Sequence, residues 1–158
     1  MKYSSTLRTL AVALVGLFSL FSRDGFGQSN SFELTFGGPG SQICFSHCVD
    51  SDSSIYMLGV EVAGPLGGTD FMLAKVSGQG NLIWVKHFGT AYDDNAFTIL
   101  RRSDGFFLFG TTEDPSLQTQ VLCIKVDTSG TELNRYEYGT LASQSIRKAV
   151  QGPDGGFL

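Results

Sequence analysis

The sequence predicts an all-β fold of β-propeller type, built from four-stranded blades of about 50 residues, with about two and a half blades present. Three observations predict it. Features recur at a fixed spacing, four strand-sized segments fill each period, and the second segment of each period is continuously apolar.

The spacing is marked by three aromatic–glycine pairs, Phe36-Gly37, Phe88-Gly89 and Tyr138-Gly139. Between them Ile55-Tyr-Met-Leu-Gly59 answers Phe106-Phe-Leu-Phe-Gly110, and Pro65 answers Pro115. Asp70 through Val76 answers Gln120 through Val126, and Gly80 answers Gly130. A third copy begins: Ser103-Asp-Gly-Phe-Phe-Leu108 returns as Pro153-Asp-Gly-Gly-Phe-Leu158.

Strands are expected near 43–50, 55–62, 70–76 and 82–88, then near 96–102, 106–112, 120–126 and 132–138. The dividers are turn chemistry, as in Asp50-Ser-Asp-Ser-Ser54, Gly64-Pro-Leu-Gly-Gly68 and Ser77-Gly-Gln-Gly-Asn81. Glycine supplies positive φ, Asp and Ser bond nearby amides, and proline presets φ. Ile55–Leu58 and Phe106–Phe109 do not alternate apolar with polar, so these strands are expected to be covered on both faces. Gly59 and Gly110, at the ends of those runs, are expected at a bulge or a tight contact.

The expected organisation is a signal peptide at 1–27, a linker or closing strand at 28–35, blade 1 at 36–87, blade 2 at 88–137 and a partial blade 3 at 138–158. Lys2 and Arg8 precede an apolar stretch from Leu10 to Phe21, and Gly25 and Gly27 suit signal-peptidase cleavage before Gln28. That stretch is shorter than the roughly twenty residues a spanning helix needs, so no stable membrane insertion is expected after cleavage. Propellers close with four to eight blades, and a chain with about two and a half reads as a fragment.

Without residues 1–27 the chain keeps eight basic and fourteen acidic residues. Nucleic acid is excluded as a partner, because phosphate backbones call for a basic face and the only basic pairs are Arg101-Arg102 and Arg147-Lys148. Each pair reads as the decoration of a solvated strand end.

Residues Cys44-Phe-Ser-His47-Cys48 superficially suggest zinc, but no second Cys/His cluster follows. In a strand, Cys44 and Cys48 lie about 13 Å apart on one face, too far for a disulfide, and aligning Phe45 with Phe97 makes them small core residues. A bridge from Cys123 to Cys44 or to Cys48 stays open in an exported protein. Asp50, Asp52 and Glu61 mimic part of a calcium loop, but Ile55 stands where its glycine belongs, and a hairpin turn is the simpler reading. Asp93-Asp94-Asn95 could bind calcium loosely, and a polar inter-blade loop accounts for it equally well.

No nucleophile-elbow or HExxH pattern accompanies the two histidines, His47 and His87. The runs Gly37–Gly40 and Gly64–Gly68 lack the spacing and helix of a phosphate loop. Asp70, Asp93 or Asp94 could meet across a propeller mouth as glycosidase-type carboxylates, though no spacing selects them. No catalytic, cofactor-binding or metal-binding residue is therefore expected, and no cofactor.

The chain also resembles the bacterial secreted β-propeller repeat proteins of the SBBP type. Their Gly-Gly opening resembles Phe36-Gly37-Gly38, their Asp-Gly-Gly-Phe turn resembles Asp154–Phe157, and their repeat ending resembles Lys75-Val76 through Gly80-Asn81-Leu-Ile-Trp84-Val-Lys86. The second copy departs, with Asn134 and Tyr136 for the Trp and Lys. The resemblance covers most of 36–158 and implies an exported repeat protein with scaffold or surface roles, with no catalytic residues to carry over. The expected function is thus a non-catalytic interaction or scaffold module at or outside the cell envelope, with an unknown protein or glycan surface as partner. The alternative is a fragment of a propeller enzyme or carbohydrate-binding protein whose site lies in missing blades, and a third reading is a β-sandwich whose periodicity is coincidental.

Overall fold

The computed structural model describes residues 32–140 and 142–157; the expected signal peptide lies outside the described residues. Eight strands follow one another: β1 (Gln42–Val49), β2 (Ile55–Val62), β3 (Thr69–Val76), β4 (Leu82–Phe88), β5 (Asp94–Arg102), β6 (Gly105–Glu113), β7 (Thr119–Val126) and β8 (Glu132–Tyr138). They form two four-stranded antiparallel meanders, β1-β2-β3-β4 and β5-β6-β7-β8, and each strand falls within two residues of its expected place. Both sheets are open, and no helix occurs among the described residues.

The two meanders share their irregularities as well as their order. In β1 the register shifts between Cys44 and Ser46, so Phe45 is extra; in β5 it shifts between Ala96 and Thr98, so Phe97 is extra. Opposite these bulges stand Gly59 and Gly110. A Cβ at Gly59 would run into the Ile43 carbonyl oxygen, and one at Gly110 into that of Asn95 and the ring of Phe71. The expected bulge is confirmed, with crowding as its reason. A second shift recurs at Lys75/Val76 and Lys125/Val126.

One core joins the sheets. Tyr56, Leu58 and Val60 of β2, Phe71 and Leu73 of β3 and Phe88 face Ala96, Ile99, Phe106, Leu108, Leu122, Ile124 and Val126. The Tyr56 and Phe106 rings lie 4.0 Å apart, and the Tyr56 hydroxyl donates to the Thr128 carbonyl at 2.9 Å. Burial of each such ring contributes about 2–3 kcal/mol.

The other face of the second sheet carries Phe107, Phe109 and Cys123, which pack against Ile146, Ala149 and Phe157. This explains the unbroken apolar run in β6: Phe106 and Leu108 point at the first sheet while Phe107 and Phe109 point at the 144–157 segment. That segment forms the beginning of a third hairpin, with Gln151 bridged to Phe157.

Arg101 and Arg102 do not decorate a solvated end. Arg101 Nε donates to Asp50 Oδ1 at 2.7 Å and its guanidinium lies over the Phe106 ring, while Arg102 donates to the Gly155 carbonyl and lies over Phe157. Each arginine ties its sheet to the neighbouring unit, because its guanidinium finds an acceptor there while lying over a ring. Arg147 lies with its guanidinium 5.0 Å from the Phe97 ring centre.

The cysteines are all free thiols. Cys48 packs against the inter-sheet core and Cys123 belongs to the opposite face of the second sheet, so that sheet separates them. Cys44 is exposed, contrary to its expected core role, although Ala96 at the matching bulge is buried. The positions match, but Ala96 faces a neighbouring sheet and Cys44 does not.

Candidate functional site

The antiparallel meander brings strand ends from distant sequence to one edge. In the first sheet Gln42, Glu61 and Asp70 lie side by side on β1, β2 and β3; in the second, Asp94, Thr112 and Gln120 occupy the matching row. The β2–β3 and β4–β5 connections meet at this edge, and they carry the polar groups that the site is made of.

Glu61 is fully engaged. Its Oε1 accepts from Gln42 Nε2 at 2.7 Å and its Oε2 accepts from His87 Nε2 at 2.6 Å. With Phe36, Met72 and Val85, Glu61 and His87 line a shallow cleft of about 260 Å³. No sequence signal marks this pair, since 26 residues separate its members and no motif links them.

Asp70 and Asp94 lie deeper, both fully buried. Asp70 Oδ2 accepts from the Leu66 amide at 2.8 Å, which makes the Gly64–Gly68 run the cradle of a carboxylate rather than of a phosphate. Asp94 Oδ2 accepts from the Thr90 amide at 2.6 Å and from the Thr90 hydroxyl at 3.1 Å. In both residues Oδ1 finds no hydrogen-bond partner in the protein. The carboxylates border Gly89: a Cβ there would come within 2.9 Å of Asp70 Oδ1 and 2.6 Å of Asp94 Oδ2. Burial pushes the Asp70 carboxyl above its ordinary range; the Leu66 amide opposes this, and the Asp94 charge adds to it.

Of the three acidic residues considered for a shared mouth, the structure thus brings together Asp70 and Asp94. Asp93 turns away, its Oδ1 accepting from the Thr69 amide at 2.8 Å on an exposed loop. The Asp50–Ser54 segment is a hairpin turn, in which Asp52 Oδ1 accepts from the Ser54 amide. His47 stands exposed on β1, far along the sheet from this edge. Among the described residues no three His, Cys, Asp or Glu side chains are grouped so as to hold a metal ion, and no helix is long and apolar enough to cross a membrane.

A second cleft, of about 490 Å³, opens on the far face of the second sheet between Phe107, Val121, Cys123, Tyr136, Tyr138 and Phe157. Its lining is aromatic and aliphatic, and burial pushes the Cys123 thiol up to about 11, so it is a poor nucleophile at neutral pH.

No protein-family model matches the chain, and no curated protein matches it significantly.

Proposed function

We propose that the chain is an exported, non-catalytic β-propeller repeat module whose inter-blade loops bind a protein or glycan surface at or outside the cell envelope. The observation that carries this reading is one packing arrangement used twice. Phe106 of the second sheet packs tilted against Tyr56 of the first, and Phe157, one place beyond Gly156, the counterpart of Phe106, packs tilted against Phe107, the residue that corresponds to Tyr56. Lys75 covers Tyr56 and pairs with Asp52; Lys125 covers Phe107 and pairs with Asp104. The Thr69 amide donates to Asp93 and the Thr119 amide to Ser143. A unit that packs on its neighbour by a repeated operation builds a ring or an array, which supports reading the four-stranded meanders as propeller blades rather than as one two-sheet sandwich. The resemblance to the SBBP-type repeats supports the same assignment.

The glycosidase reading loses force at the one place where two carboxylates meet. Asp70 and Asp94 have no solvent-exposed surface, so a glycosidic oxygen has no path to them.

Expression of the reading frame in a bacterial host tests the proposal. The exported species should begin at Gln28, and the purified protein should be retained on a glycan or envelope-protein array without turning over chromogenic glycosides or esters. Turnover that disappears on substitution of a residue in this chain would overturn it.

A further inference from the structure

We propose that Asp70 and Asp94 share one proton across the junction between the two sheets, forming a carboxyl pair that fastens the junction in mildly acidic conditions and loosens it as the pH rises. The geometry points there first. Each carboxyl spends Oδ2 on a backbone amide of its own loop and leaves Oδ1 buried without a partner. Both border Gly89, the residue that leads from the first sheet towards the second. A buried polar oxygen without a partner is costly, and two ionised carboxylates side by side are costlier. One proton relieves both problems, since a protonated carboxyl gains a donor and its ionised neighbour is an acceptor.

The surrounding cations compensate only in part, because each is bonded elsewhere. On β2 and β4, Glu61 and His87 are bonded to each other. On β8, Arg135 holds Glu132 through Nε and Nη2, and its Nη1 donates to the Gly89 carbonyl at 3.2 Å; Glu137 lies further along the same strand. In the β4–β5 connection Asp93 is bonded to the Thr69 amide, and on β6 the neighbour of Asp94 is uncharged Thr112. The Arg135 charge acts on Asp94 and the His87 charge on Asp70 through space, but neither buried carboxyl is hydrogen-bonded to a cation. The second copy carries a neutral analogue: Gln120 stands where Asp70 stands, and its amide donates to the Thr140 carbonyl at 3.2 Å.

A carboxyl that holds its proton more tightly folded than unfolded makes the folded state bind more protons. Its stability contribution is full in acid and is lost as the pH rises through the folded-state value. Thermal unfolding of the full chain between pH 5 and 7.5 reads this directly, with Asp70→Asn, Asp94→Asn and, as a control, Asp93→Asn. The expected result is a melting temperature that falls as the pH rises in the parent chain and in Asp93→Asn. Relative to the parent, either buried amide variant should lose part of that slope and melt higher at pH 7.5. The proposal is overturned if both buried variants keep the parental slope, or if both fail to fold at pH 7.5, where a neutral isostere should be tolerated. It is equally overturned if calcium chloride raises the parental melting temperature and Asp70→Asn abolishes that rise, because the pair would then hold a cation.

Discussion

Leu117 holds φ at 59°, a left-handed conformation that costs a side chain with a Cβ about 1–2 kcal/mol. It does so because it occupies the fourth position of a five-residue turn used six times among the described residues, and its amide must donate to Asp114. Glycine fills that position as Gly67, Gly80, Gly130 and Gly155; Ser53 and Leu117 are the two exceptions. Since Leu117 is 67% exposed, little burial opposes its replacement. Leu117→Gly should stabilise the protein by about 0.5–1 kcal/mol, the relief of strain exceeding the entropy that glycine adds to the unfolded chain, as measured by urea unfolding. Gly110 presents the opposite case. Its missing Cβ leaves room for the Asn95 carbonyl and the Phe71 ring, so Gly110→Ala should destabilise by about 1–3 kcal/mol in the same measurement. Both glycines and turns were readable from the residues, because turn chemistry is local. The approach of Asp70 and Asp94 to the same glycine, Gly89, was only one of several carboxylate pairings open, because they come together through the β2–β3 and β4–β5 connections, and sequence spacing does not encode that meeting.

At the scale of elements, the hydrophobic pattern located every strand, because each is bounded by its own turn and enriched in aromatic and branched residues. The same pattern misjudged what lies beside a strand. Arg101 and Arg102 read as solvated, yet each reaches across to the next unit, and Cys44 read as core but has no neighbouring sheet. Such errors share one origin: pattern reports which face is apolar and not what covers it. The 144–157 segment is the clearest example, since Phe157 closes over Phe107 and Phe109 at ring distances of 4.7 and 5.0 Å and helps to bury Cys123. Phe157→Ala should release that segment. Peptide-resolved alkylation with iodoacetamide at pH 8 should then show Cys123 reacting about tenfold faster or more, with Cys44, already exposed, unchanged. Equal rates at Cys123 in parent and variant would mean that the 144–157 segment does not cover the second sheet.

For the whole described unit, the decisive asymmetry is that the second sheet is covered on both faces while the first buries mainly the face it turns to its neighbour. In a stack of similar units, stability is set by each unit's own cohesion and by the interfaces it makes, so the unit with two interfaces is the last to open. The strands at the middle of that sheet, β6 and β7, hold Phe106, Leu108, Leu122 and Ile124 against the first sheet and Phe109 and Cys123 against the 144–157 segment. The outer strands differ: β8 is mostly exposed, from Glu132 to Tyr138, and β1 presents Ile43, Phe45 and Val49 to solvent. Amide hydrogen exchange should therefore be slowest in β6 and β7, intermediate in β2 and β3, and fastest in β1 and β8. In Phe106→Ala, which removes a ring from the shared interface, protection should fall in β2 and β6 together, because the Tyr56–Phe106 contact belongs equally to both sheets. A loss confined to the second sheet would show that the two meanders fold as separate bodies and that their interface contributes little to either.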